Sequence, residues 1–376
     1  MASSVTDHDP SSVVQKHVRA RLLELGVKVA ATRRAYLDKC FWVRLRDHAN
    51  GIKSTAATSA LFDALRSEVR QGGLICPISD TLFVELLRQS DLRTRSATAE
   101  LIDEFSTGVS LIPDEERFNL EVETLVLRRL GQSVQPIEHR VWSRVAFVLG
   151  IPHTHPHPGR TADAVEIGFF DYLWDLPLVR VLAVIGDRVP PDPMFGQQAK
   201  LLNEGNAEQS TELRSFQQAY RDELAGALDL AIPQMQRTLE TVYRSTGSNE
   251  PANWTDDHLR KMHAVLVAVA RTPEGRMALR SAHLAASMHA ATRWSKTKRL
   301  TAHDLPDFLH AGAAIGYCDA FFTDGPTKHL LDQKNLGIHD DFSCATAADD
   351  ALALKWLRSD SLQLGQGDRS DNDQDR

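Results

Sequence analysis

Four carboxylates stand where the chain could use them together: Asp38, Glu85, Asp307 and Asp324. Asp38 closes the run Arg33-Arg34-Ala35-Tyr36-Leu37, which reads as a short strand ending in a turn. Glu85 lies on a helix that Ser79-Asp80 would cap, one turn past Thr81. Asp307 sits in the first turn of a helix opened by Asp304 and Pro306. Asp324 follows Ala320-Phe321-Phe322-Thr323, an apolar run typical of a parallel strand buried on both faces. Open α/β sheets gather ligands outside the carboxyl ends of their strands. Taken singly, each acid has a plain structural use as a cap, turn or solvated helix residue. Brought together they would repel, and some would take up protons unless a cation joined them. A divalent ion so held can activate water and neutralise charge on a phosphate, which is what phosphodiester hydrolysis needs.

The elements that must position them follow from periodicity. Val13–Gly26 is expected as an amphipathic helix with Gly26 as its stop. Ala35–Asp38 is expected as the first strand, Ser54–Gln71 as a helix, Leu74–Ser79 as the second strand and Val109–Pro113 as a third. From about Pro136 to Arg299 the pattern is helical, with Val141–Leu149 and Leu213–Ser245 each read as helix. Ile167–Gly186 is the most apolar stretch. It carries Asp171, Asp175, Pro177 and Arg180, so a buried helix pair broken at Pro177 suits it better than a membrane span. Beyond Asp324, Lys328–Gln333 reads as a short helix and Phe342–Ala345 as a last strand.

A strand ending in Asp38, the pattern Ser79-x-Thr81-x-x-x-Glu85, the helix Asp304-x-x-Asp307-x-x-His310-Ala311 and then Phe321-Phe322-Thr323-Asp324 resemble the PIN-domain nucleases, in particular larger bacterial relatives of that family. The resemblance covers roughly residues 30–125 and 298–360. It implies an α/β fold, a three-layer α/β/α core with a central parallel sheet. It also implies Mg²⁺- or Mn²⁺-dependent cleavage of phosphodiester bonds, usually in RNA. The family's acidic positions fall on Asp38, Glu85, Asp307 and Asp324, with Thr323 in support and Asp304 as a further candidate for the metal. The expected organisation is a core in two parts, residues 1–125 and 298–360, interrupted by an all-helical insertion over 126–297 and followed by a disordered tail over 361–376. Single-stranded RNA is the expected partner, with a protein inhibitor or antitoxin as a second. Two other readings remain: a non-catalytic scaffold that binds partners through the insertion, and a nuclease that takes DNA.

Composition sets outer limits. The chain has 376 residues, 42% hydrophobic and 25% charged, with a net charge of −7. That balance is ordinary for a globular protein and excludes one held to nucleic acid by bulk charge. The densest basic run is local: Arg293, Lys296, Lys298 and Arg299 around Trp294. Lys296, Lys298 and Arg299 are the candidate substrate contacts, a phosphate clamp beside a stacking aromatic. Cys40, Cys76, Cys318 and Cys344 have no metal-ligand spacing, and Cys76 and Cys318 lie in apolar strand readings that favour burial. No apolar leader opens the chain, so the expected setting is reduced and cytoplasmic, without a membrane. Asp319, at the start of its strand, is expected to be structural, and His310 to pack between helix and sheet. His153, His155 and His157 alternate in a Pro-rich loop that reads as solvated. Arg276 and His283 match the spacing of the pair in helical HEPN ribonucleases, which chance supplies readily among 15 histidines.

Overall fold

Arg33–Leu37 (β1) and Ala320–Phe322 (β5) lie side by side, although nearly three hundred residues separate them in sequence. Both alternate faces: Tyr36 and Phe321 join one apolar core, while Ala35, Leu37, Ala320 and Phe322 join another. A strand buried on both sides must be covered by helices on both sides, and this one is. In the computed structural model, which describes residues 12–52, 54–151, 160–186, 194–246, 254–295 and 297–364, the chain is mainly helical around a four-stranded parallel sheet. Its order is β2-β1-β5-β6, with β2 at Leu74–Ile75 and β6 at Ala345–Ala347. Truncating either fully buried phenylalanine of β5 to alanine would cost about 3–5 kcal/mol.

The first third of the chain supplies α1 (Val13–Ala30), α2 (Lys39–Ala49), α3 (Ala56–Arg70), α4 (Asp80–Leu87), α5 (Leu92–Ser106) and α6 (Asp114–Arg129). Side-chain caps start five of them, Ser12 accepting from Gln15 N at the head of α1. Asp38 accepts from Lys39 N, Thr55 from Thr58 N, Ser79 from Leu82 N and Asp91 from Thr94 N. The middle of the chain forms α7 (Arg160–Trp174), α8 (Leu178–Ile185), α9 (Met194–Glu208), α10 (Phe216–Leu230), α11 (Ile232–Thr246), α12 (Asp256–Ala270), α13 (Pro273–Ala278) and α14 (Arg280–Trp294). The last part forms α15 (Asp304–Tyr317), α16 (Gly325–Leu331), α17 (Ile338–Asp341) and α18 (Asp350–Leu364).

Several elements differ from the sequence reading, each for a physical reason. Gly26 does not end α1, because it is a contact glycine: a Cβ there would lie 1.9 Å from the carbonyl oxygen of His139. Val141–Leu149 is not a helix. Trp142–Arg144 forms β4, antiparallel to β3 (Val109–Leu111), and a 3₁₀ turn follows. The segment between residues 126 and 297 is therefore not all-helical, and β3 leaves the parallel sheet to pair with it, keeping one parallel bridge to Ile78. Leu213–Ser245 breaks into α10 and α11, since Pro233 lacks the N–H that would continue the first helix. Pro177 separates α7 from α8 as expected. The pair is only half buried, with Tyr172 and Val184 exposed. The short helix read at Lys328–Gln333 starts earlier, as α16 with Pro326 in its first turn, and the last strand is Ala345–Ala347 and not Phe342–Ala345. Helix α18 continues to Leu364, past the expected start of the tail.

Two acidic side chains tie the layers together. Asp319 accepts from Arg34 N at 2.7 Å and from the Arg34 guanidinium at 3.0 and 2.7 Å, a two-pronged clamp across the start of β1 and β5. The structural role expected for Asp319 is this clamp. Glu121 of α6 is fully buried and accepts from Ser281 N, Ser281 Oγ and Tyr317 Oη. Burial pushes its carboxyl from 4.5 up to about 7 even though those donors act to lower it. Between these two values the folded chain binds more protons than the unfolded one, so this group's contribution falls as pH rises through the window. Glu121→Gln is expected to flatten the dependence of Tm on pH over that range. A variant that keeps the wild-type slope would place its origin elsewhere.

The four cysteines are free, and Cys76, Cys318 and Cys344 are buried. Among the described residues no helix is long and apolar enough to cross a membrane.

Candidate metal centre

The site forms where β1 and β5 end. Asp38 N donates to Phe322 O at 2.8 Å, continuing the strand pairing by one residue, so Asp38 and Thr323 leave the sheet as neighbours. β1 leads to β2 on one side of itself and is flanked by β5 on the other, and such a reversal in strand order opens a crevice at the carboxyl edge. Asp38 caps α2 through Oδ1, and its Oδ2 accepts from Thr323 Oγ1 at 3.1 Å. Both acceptor bonds fix the carboxylate without closing its remaining lone pairs. Asp324 caps α16, accepting from Thr327 N at 2.8 Å.

Two helices complete the ring. α4 supplies Glu85, and α15 supplies Asp307 and His310 on one face. His310 is fully buried. Its Nε2 lies 3.2 Å from Glu85 Oε2 and 3.9 Å from Asp38 Oδ1, while its Nδ1 lies 2.7 Å from Tyr36 Oη. Tyr36 in turn shares a 2.6 Å hydrogen bond with Ser79, the residue that caps α4. One donor atom each from Asp38, Glu85 and His310 lies within 4.8 Å of the others. Lys39 Nζ stands 3.7 Å from Glu85 Oε1 at the open side.

The electrostatics are those of a crowded acidic ring. Burial raises the Asp38 carboxyl, and repulsion from Glu85 adds to it against the pull of His310. Asp307 is pushed up to about 7, by burial first and then by Asp38, Asp324 and Glu85. Burial would raise Glu85 as well, but His310 and Lys39 hold it below the usual carboxylate range. Burial alone would lower His310, and the surrounding carboxylates raise it instead. The ring is thus short of positive charge, which favours proton uptake by its members.

The donor set fits a divalent cation. Carboxylate oxygens suit Mg²⁺ and Mn²⁺, and one imidazole inclines the set towards Mn²⁺ or another transition ion. With His310 neutral, Nε2 is free to ligate while Nδ1–H donates to Tyr36, the kind of outer hydrogen bond that orients a ligating histidine.

Asp38, Glu85, Asp307, Asp324 and Thr323 all reach this place. Asp304 does not join them by any hydrogen bond or ion pair. It follows the capping position, held by His303, and its carboxylate turns back to accept from Thr301 N and Oγ1 and to pair with Lys298 at 3.2 Å. His310, expected to be packing alone, is the member the sequence reading underrated. Tyr36, Ser79 and Lys39 carry no such expectation from the sequence. Their only signal is proximity to Asp38 and to the α4 cap.

The basic run fares unevenly. Arg293 is spent on Glu223 at 3.1 Å and Gln209 at 2.6 Å. Lys298 and Arg299 are exposed, and Lys296 lies outside the described residues, as do His153, His155 and His157. Arg276 donates to Asp341 at 3.1 Å, His283 Nε2 lies 3.2 Å from the same carboxylate, and Tyr220 bonds His283 at 2.8 Å. That is an internal tie between helices.

No family model, curated protein or solved structure matches the chain.

Proposed function

We propose that the chain is a metal-dependent endonuclease of the PIN-like kind, hydrolysing phosphodiester bonds in single-stranded RNA. The observation that carries this reading is the meeting of Asp38, Glu85 and His310 donor atoms within 4.8 Å at the carboxyl edge of a parallel sheet, with Asp307 and Asp324 beside them. Mg²⁺ or Mn²⁺ at that point supplies water activation and charge neutralisation on the phosphate. Thr323 and the backbone of Lys39 orient Asp38. Tyr36 orients His310. Asp307 and Asp324 are only partly buried and form the side from which water and substrate would enter. Lys39 is 44% exposed at that opening and can meet a phosphate oxygen without leaving Glu85.

The test is a metal titration with fluorogenic single-stranded RNA and a matched DNA. Cleavage of RNA is expected with Mn²⁺ and Mg²⁺ and none in chelator. Cleavage of the DNA alone would move the substrate assignment. No metal-dependent cleavage of either would overturn the reading and favour a scaffold that binds partners.

The acidic chain must meet a polyanion through local positive charge. Lys298→Ala with Arg299→Ala is expected to weaken RNA binding and to reduce the slope of log K against log salt by about 0.7 for each phosphate no longer neutralised. Lys298 is shared with Asp304, so Arg299 should carry the larger part. An unchanged slope would make the run an ordinary solvated helix end.

A further inference from the structure

α15 has a second working face. Asp307 and His310 point to the carboxylate ring, while Leu305, Phe308, Leu309 and Gly312, on the opposite side of the same helix, line a cleft of 860 Å³. α9, α10 and α14 wall its other sides. The volume is that of a site for a small organic molecule, and its lining is dominated by leucine, phenylalanine and alanine.

Two features of the lining bear on what could enter. Gly226 in α10 and Gly312 in α15 both line it, and a Cβ on either would meet nothing within 4 Å. Glycine inside a helix costs about 0.5–1 kcal/mol relative to alanine, and neither position needs it for backbone conformation or close packing. His289 also lines the cleft, edge-on to Phe308 at 5.0 Å, and burial lowers its imidazole to about 4. It is uncharged at neutral pH and able to donate or accept one hydrogen bond.

The charges decide what fits. Among the described residues, those lining the cleft include three carboxylates, Asp114, Glu223 and Asp229, and neither lysine nor arginine. Asp114 is matched by Arg117 at 2.8 Å and Glu223 by Arg293 at 3.1 Å. Asp229 is exposed at the lip, beside Leu230 with 87% of its surface free, and has no ion pair among the described residues. An apolar floor under a lip with one uncompensated negative charge suits an amphiphile whose head is positive.

We propose that this cleft binds a lipophilic ammonium ion, its chain among Leu305, Phe308 and Leu309 and its head at Asp229. The proposal does not depend on nuclease activity, and its test uses none. The full chain is titrated with the neutral dye Nile red, which is then displaced by dodecylammonium, dodecanol or dodecanoate below their micelle concentrations. Dodecylammonium should displace it at about fivefold lower concentration than dodecanoate at low salt, with the gap closing in high salt. Gly312→Leu should abolish dye binding while the protein keeps its helical circular dichroism. Gly226→Leu, on the facing helix, decides the matter if the first variant does not fold. Asp229→Lys should reverse the order of the two charged competitors. Absence of dye binding, equal displacement by both ions, or full binding in the folded glycine variant would each overturn the assignment.

Discussion

Asp38→Asn is expected to lower metal-supported RNA cleavage by at least about 10²-fold, the usual scale for removing one group that holds charge at a reacting centre. Without metal the variant should melt at the same temperature as the wild type or slightly above it. The two effects separate because Asp38 has two roles. As a cap it accepts from Lys39 N, and asparagine caps a helix as well as aspartate does. As a charge it sits in a buried ring whose members repel: burial and Glu85 both raise its carboxyl. Asparagine removes the charge, and Thr323 can turn its hydroxyl to accept from the new amide. Fold is therefore kept while the cation loses a ligand. Mn²⁺ should raise the Tm of the wild type and leave that of Asp38→Asn almost unmoved, since an ion stabilises only the state that binds it. Full activity in the variant, or an equal Mn²⁺-induced rise in Tm, would remove Asp38 from the site. Asp38→Ala would be a poorer probe, because it also forfeits a cap worth about 1 kcal/mol.

The strands that carry the site were legible because their burial is written locally. Ala35-Tyr36-Leu37 and Ala320-Phe321-Phe322 are apolar at every position, as strands covered on both faces must be, and an acid follows each within two residues. The acids at their ends could be placed for the same reason. Other features depend on partners remote in sequence. Trp142-Ser143-Arg144 lies in an apolar run that would serve a helix equally well, and its pairing with Val109–Leu111 decides otherwise. Gly26 looks like a helix stop until the His139 carbonyl is brought against it. Arg293 looks like a free cation until α10 presents Glu223. Asp304 is different: Thr301 is three residues away, and the turn that occupies its carboxylate was within reach of a sequence reading.

His310→Gln is expected to weaken Mn²⁺ binding by about 10²-fold and Mg²⁺ binding by much less, changing the ratio of the two affinities. The imidazole is the one nitrogen donor in the ring, 3.2 Å from Glu85 and backed by Tyr36 on its far side. A transition ion gains from such a ligand. Mg²⁺ prefers oxygen and readily keeps a water in its place. His310 is also fully buried, facing Tyr36 of β1 and Glu85 of α4, so its loss has a structural cost, and glutamine is chosen because its amide can still donate to Glu85. That cost would lower affinity for both ions alike, which is why the ratio, read by calorimetry or by Mn²⁺ and Mg²⁺ activation curves, is the informative quantity. Tyr36→Phe, which leaves every proposed ligand in place and removes the hydrogen bonds to His310 Nδ1 and Ser79 Oγ, should shift the ratio in the same direction by about tenfold or less. An unchanged ratio in both variants would mean that His310 merely fills space beside the carboxylates. The site would then be an all-oxygen one, with Asp307 taking the place assigned here to the imidazole.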